Sequence, residues 1–182
     1  MRTIYAFLFA LTATSAVANS SLGNHDLKTD SIAPLQKDVS SIDGIVTALY
    51  DVISGPAGEK RNWDRMRTLF IPEARLMSTS KRPDGTMGKR VRSVEEYISV
   101  SGPLLEKDGF FEREIGRSMD QYGAIVQLFS SYDSKRKLTD ETPFTRGINS
   151  IQLWNDGSRW WIVSILWQPE SPDNLIPPKY IK

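Results

Sequence analysis

The sequence contains no cysteine, and its only histidine in 182 residues is His25. These two absences remove whole classes of chemistry. A Ser–His or Cys–His nucleophile relay cannot be built in the body of the chain, and a zinc or iron site lacks its usual nitrogen and sulfur ligands. Only an all-carboxylate metal site survives, so no metal and no cofactor is expected. Without cysteine there is no disulfide staple, and a hydrophobic core alone must hold the fold. There is also no excess of one charge: 23 Lys and Arg stand against 22 Asp and Glu. The basic footprint of a nucleic-acid module is therefore missing, and no nucleic-acid partner is expected. Local clusters at Lys81-Arg82, Lys89, Arg90 and Arg92, and Lys135-Arg136-Lys137 read as solvated loop charges. Beyond the N-terminus no apolar run approaches the ~18 residues that a membrane span needs. Neither a repeat nor a low-complexity tract is present.

The N-terminus reads as an export signal. Arg2 supplies a small positive region, residues 4–11 an apolar stretch, and Ala16-Val17-Ala18 a small-residue cleavage site. Residues 1–18 are thus expected to be removed, giving a periplasmic or secreted protein. Residues 19–38 have little periodicity and read as a flexible leader. Asn19-Ser20-Ser21 matches a glycosylation acceptor, a three-residue pattern of low specificity. The remainder has the size of one domain, 39–168, followed by an extended tail at 169–182 that carries Pro169, Pro172, Pro177 and Pro178.

Within that domain, Val39, Ile42, Ile45, Val46, Leu49, Tyr50 and Ile53 recur at helical spacing until Ser54-Gly55-Pro56. A short second helix is expected from an Asn62 cap, burying Trp63, Met66, Leu69 and Phe70 before Pro72. Short strands are predicted at Arg75–Thr79 and Met87–Val91 around a Pro83-Asp84-Gly85 turn. Ser93-Val94-Glu95-Glu96 is a capping box that opens a third helix at Val94, which Gly102-Pro103 should kink or end. Four longer strands follow, at 110–119, 124–133, 144–154 and 159–168.

The last two strands are the most informative. Asp156-Gly157 between two apolar runs signals a two-residue hairpin. Pairing Asn155 with Ser158 puts Thr145, Gly147, Asn149, Ile151 and Leu153 on one face with Trp160, Ile162, Ser164, Leu166 and Gln168. The opposite face receives Arg146, Ile148, Ser150, Gln152 and Trp154 with Trp161, Val163, Ile165 and Trp167. Arg146 would then stack on Trp167. Neither face is plainly polar, so both should be covered.

This order of elements, with Trp63–Phe70, Arg146–Leu153 and Arg159-Trp160-Trp161-Ile162-Val163, resembles the nuclear transport factor 2-like superfamily, and in particular its exported bacterial members. The resemblance spans roughly residues 39–168. It implies an α+β cone, a curved mixed or antiparallel sheet wrapped around about three helices, with an apolar cavity between them. It also implies that the first Trp and the Ile of the Arg159–Val163 segment face inward. The superfamily hosts isomerases, cyclases, dehydratases, hydrolases and binding modules, so the fold does not choose among them.

Three readings remain. A few polar groups on a greasy concave wall make a small-molecule pocket, here Asn149, Ser164, Gln168 and Thr145 among Trp160, Ile162 and Leu166. Alternatively, Asn149 and Ser164 merely satisfy one another across the strands. A second reading is an acid–base enzyme of isomerase or cyclase type. Glu112 and Glu114, two apart on one strand and so on one face, would be its carboxylates, with Tyr132 or Tyr50 as proton donor. Against it stands the option that both glutamates face water beside Arg113 and Arg117. The third reading is an interaction module, a homodimer through the outer sheet face, unless Leu175, Ile176, Tyr180 and Ile181 of the tail cover that face.

Overall fold

A computed structural model describes residues 32–181. The proposed signal, most of the leader, Asn19 and His25 fall outside the described residues. The helices are α1 (Gln36–Val39), α2 (Ile42–Ile53), α3 (Trp63–Arg67) and α4 (Val94–Asp108). The single first helix read from periodicity is thus two. Ser40 and Ser41 interrupt it, and the Ser41 hydroxyl caps α2 by accepting from Gly44 N at 3.0 Å. The ordered fold also begins before residue 39. Asp38 is buried and receives a bidentate pair from Arg65 at 2.7 and 3.0 Å.

At α4 the Ser93–Glu96 capping box is present as read. The helix nevertheless runs through Pro103 to Asp108, contrary to the expected early end. Its last turn is gripped from outside: Arg61 donates to Leu105 O at 3.1 Å, while Trp63 Nε1 and Lys60 Nζ reach the Glu106 carboxylate at 2.9 and 2.7 Å. These bonds hold the turns that proline weakens. The buried Arg61 guanidinium also donates to Ile53 O and Gly55 O, so one cation caps the C-terminal ends of α2 and α4 together.

The six strands are β1 (Phe70–Lys81), β2 (Met87–Arg92), β3 (Phe111–Tyr122), β4 (Ile125–Lys135), β5 (Thr145–Asn155) and β6 (Trp160–Pro169). They form one sheet in the order β2-β1-β6-β5-β4-β3, antiparallel except where β1 runs parallel to β6. The sheet is curved and unclosed, and α2 packs against its inner face. Phe70, expected at a helix end, opens β1 instead. Pro72 falls where the β1–β6 register is irregular, a place where a missing N–H costs no ladder bond.

Two features re-phase the terminal hairpin. The turn is four residues long, with Asn155 opposite Trp160 and Asp156 N bonded to Arg159 O at 3.1 Å. The Asp156 carboxylate organises it, accepting from Ser158 N, Ser158 Oγ and Arg159 N. Moving the pairing by two residues leaves the faces unchanged. A bulge then makes Val163 supernumerary: Leu153 faces Ile162, but Gln152 faces Ser164. That one-residue step reverses the rest of β6. Trp160 and Ile162 point inward as expected, but so do Ile165 and Trp167, whereas Ser164, Leu166 and Gln168 lie on the outer face.

The tail folds back over part of that outer face. Tyr180 tilts against Phe129 with ring centres 5.5 Å apart, Ile176 is buried, and Glu170 accepts from Ile176 N at 3.2 Å. Arg146 pairs with Glu170 at 3.6 Å rather than stacking on Trp167. No helix among the described residues is long and apolar enough to cross a membrane.

Candidate functional site

Between α2, α4 and the inner sheet face lies a cavity of about 220 Å³. Aliphatic side chains of α2, α3 and β1 (Leu49, Ile53, Met66 and Leu76) form one side of it. Its polar groups are Glu112, Asn149, Thr145 and the hydroxyls of Tyr97 and Tyr132, while Phe110, Ile165 and Trp167 complete the wall. The volume is below the ~300–1,000 Å³ of pockets for drug-sized ligands, so it suits a smaller molecule.

Glu112 is held there by backbone as much as by side chain. At the end of α2, Ser54 Oγ accepts from Glu112 N at 3.0 Å, and Gly55 and Phe110 exchange a pair of backbone bonds at 2.7 and 3.0 Å. These bonds stitch the C-terminus of the helix to the first residues of β3. The alternation of β3 then turns Glu112 and Glu114 to the inner face, opposite Ser134 and Tyr132 of β4. The water-facing option for the two glutamates is thereby overturned. Glu112 also borders a wider groove of about 430 Å³ that runs between α2 and the first half of β3.

A buried hydrogen-bond chain links these residues. Ser134 Oγ donates to Glu112 Oε2 at 2.7 Å, and Ser130 Oγ donates to Glu114 Oε1 at 2.5 Å. Having given its proton to Glu114, Ser130 accepts from the Tyr50 hydroxyl, 2.6 Å away. The Tyr50 oxygen in turn accepts from Asn149 Nδ2 at 3.1 Å, whose second proton points to Glu112 Oε1 at 3.5 Å. Glu114 is further paired with Arg117 at 2.7 Å, whereas Glu112 has no cationic partner among the described residues. Tyr132 has room because Gly147 lies opposite: a Cβ there would come within 2.5 Å of its hydroxyl.

Burial pushes the Glu112 carboxyl up from 4.5 to about 7. The bonds from Ser134 and Asn149 oppose this rise, and the Asp133 charge adds to it. Burial likewise raises the tyrosines Tyr50, Tyr97 and Tyr132, with the Glu112 charge as the next cause in each. All three remain protonated donors near neutrality. Only Ser131 Oγ is a fully enclosed side-chain polar atom without a partner among the described residues. The hydroxyls of Tyr97 and Tyr132 make no hydrogen bond there either, so they reach open space.

The structure brings Glu112, Tyr132, Asn149 and Thr145 together around one cavity. Tyr50 and Glu114 sit behind them in the hydrogen-bond chain and line the groove instead. Trp160 and Ile162 are buried core rather than lining. The longer turn and the bulge together carry Ser164 away from Asn149 to face Gln152, so their expected cross-strand bond is not made. Gln168 and Leu166 border a separate outer pocket of about 230 Å³ under the tail. Sequence reasoning passed over Tyr97, Ser130 and Ser134, and put Trp167 on the outer face. Serines at alternate positions of β4 opposite Glu112 and near Glu114 were a readable signal. The tertiary approach of α4 to Trp167 was not.

No family profile matches the sequence, and no curated protein is similar to it. Solved structures do share the fold. A protein of unknown function with a cystatin-like fold from Nostoc punctiforme is 10% identical, with a TM-score of 0.54 over 72% of this chain and 90% of that one. A candidate Ca/calmodulin-dependent kinase II association domain from Exiguobacterium sibiricum is 11% identical, with a TM-score of 0.51 over 78% and 98%. A nuclear transport factor 2-like protein of unknown function from Silicibacter pomeroyi is 14% identical, with a TM-score of 0.49 over 72% and 94%. At such identities the first two likenesses show the fold alone, and the third carries no argument. The α+β arrangement expected from the sequence is present, with four helices rather than three against the bent sheet.

The Glu112 environment makes stability depend on pH in a defined direction. Below pH 4.5 both folded and unfolded chains keep the proton. Between 4.5 and about 7 the unfolded chain loses it first, so stability falls as pH rises. At ~1.4 kcal/mol per pH unit, that rise is worth roughly 3 kcal/mol. Urea unfolding from pH 4 to 8 should therefore show Glu112→Gln gaining on the wild type by up to about that amount above pH 7. Parallel curves for the two proteins would refute it.

Proposed function

We propose that this chain, which has the nuclear transport factor 2-like fold, is an exported protein that takes one small, mainly apolar molecule into its inner cavity. The molecule's polar group would meet Glu112. The observation that carries this reading is the Glu112 carboxyl, turned inward beside Asn149 and Thr145 onto a wall that is mainly aromatic and aliphatic. A few converging polar groups on an apolar surface orient a ligand that the surrounding area holds. Export rests on the signal-like residues 1–18, and the chain from Asn19 onward is the form to test. Protein-observed amide NMR against a library of small fragments should give saturable binding, with amide shifts at Tyr132, Asn149 and Ile165. Shifts confined to Phe129, Leu166 and Ile176 would place the ligand under the tail and overturn the reading.

One observation favours a catalytic variant. A carboxyl near 7 can both accept and give a proton at neutral pH, and the Tyr97 and Tyr132 hydroxyls are free to donate to a developing oxyanion. The chemistry that suits such a set is proton transfer next to a carbonyl. Cyclohexanone in heavy water should exchange its α-hydrogens faster with the protein than without it, and Glu112→Gln should lose roughly 100-fold or more of that acceleration. Exchange at the buffer rate leaves passive binding.

The outer face supports self-association. Tyr122, Ile125, Trp154 and Trp161 follow one another across β3, β4, β5 and β6, and the first three are 84%, 59% and 42% exposed. Such a row is rare on a monomer, and the Exiguobacterium sibiricum neighbour is itself described as an association domain. Light scattering should give a homodimer for the wild type and a monomer for Trp154→Glu. A monomeric wild type at tens of micromolar would sink the proposal.

A further inference from the structure

The inner cavity holds one charge-bearing group and several aromatic rings, and no basic side chain lines it. Glu112 accepts one short hydrogen bond, from Ser134, and one long one, from Asn149. The cations nearest in sequence are engaged elsewhere: Arg113 clasps Asp133 at 2.9 and 3.0 Å, and Arg117 pairs with Glu114 and Asp43. An ionised Glu112 is therefore short of positive charge. Across the cavity, Tyr97 and Trp167 stand with ring planes at 89° and centres 6.3 Å apart. Phe110 and Tyr132 add two more rings to the wall. Perpendicular rings around a carboxylate form the surroundings that hold an organic cation, because ring faces attract positive charge while tolerating methyl or methylene groups. A bare metal ion fits poorly, since Glu112 is the single carboxylate of the lining and no cluster of metal ligands exists among the described residues.

From this geometry we infer that the cavity's ligand is a small organic cation, a substituted ammonium with a short apolar body. Its charge faces Glu112 and its alkyl groups rest on Tyr97 and Trp167. The inference rests on the proposed ligand-binding role of the same cavity and narrows it to a chemical class. Binding should strengthen as pH rises through the titration of Glu112 and then level off. Around that carboxyl stand Ser134 and Asp133 of β4, Tyr132 beside them, Asn149 of β5, Tyr50 of α2 and Glu114 farther along β3. The tyrosines keep their protons across this range, so they add no charge of their own. The charge of Arg92, which acts on Tyr97, opposes the ligand.

A matched set of probes tests this on the chain from Asn19 onward. Choline and its uncharged carbon isostere, 3,3-dimethylbutan-1-ol, differ only in the charge, and 3,3-dimethylbutanoate supplies an anion of similar bulk. Titrations at pH 8, followed through the amide signals of Asn149 and Tyr132, should show choline binding about tenfold tighter than the alcohol or more. That preference should shrink at pH 5.5. Glu112→Gln should abolish it, and Tyr97→Leu should weaken it without altering the pH at which it changes. Amide spectra of both variants check that they fold. If the alcohol or the carboxylate binds as well as choline at pH 8, the inference fails while the ligand-binding role stands. If neither these probes nor the fragment library saturates the protein, both fall.

Discussion

Asn149 stands where α2, β3 and the middle of the sheet meet, and its two amide protons go to the Tyr50 hydroxyl and the Glu112 carboxylate. Through Tyr50 and Ser130 the bonding continues to Glu114, so one polar seam crosses an otherwise apolar interface. Buried polar groups are costly unless each finds a partner, and a seam with nearly every member satisfied sets how the helix sits on the sheet. The cavity opens beside this seam, which supplies its Glu112 and Asn149. Farther along, at Ile151, Leu153, Leu128 and Val126, the same interface closes into solid core.

Arg61 plays a comparable part just beyond the seam, at the C-terminal end of α2. Its guanidinium sits among the carbonyls of Ile53, Gly55 and Leu105, which brings the ends of α2 and α4 together. The two helices so tied supply Leu49 and Tyr97 to the cavity wall. Glu106, held by Lys60 and Trp63, completes the tie.

A division of labour between the two sheet faces follows. The inner face carries the Glu112 carboxyl, Tyr132 and Trp167. The outer face is shared between the tail, which covers Phe129, and the aromatic row from Tyr122 to Trp161. Ligand and partner would thus meet opposite sides of the same strands. A contact on one side would be felt on the other only through the strands themselves.

Much of this was legible in the residues. The α+β class, the capping box at Ser93, the strand run from residue 110 onward and the division of β5 into two faces all follow from period, caps and alternation, which are local physics, whereas the inward choice for β5 came from the resemblance. Glu112 and Glu114 share a face because they are two apart, and that too is local. Which face looks inward could not be read, because polar and apolar residues alternate poorly in β3 and the choice depends on Ser54 and Gly55 of α2 gripping its first residues. In β6 the loop length and the bulge were both invisible. A two-residue change in pairing is silent, whereas the extra Val163 exchanges Ser164, Leu166 and Gln168 for Ile165 and Trp167. The amino-acid order therefore determined the elements and the residues available to them. Tertiary packing alone chose the phase of β6 and β3, and with it the cavity wall, since a bulge forms where the buried area of Ile165 and Trp167 outweighs one broken ladder step.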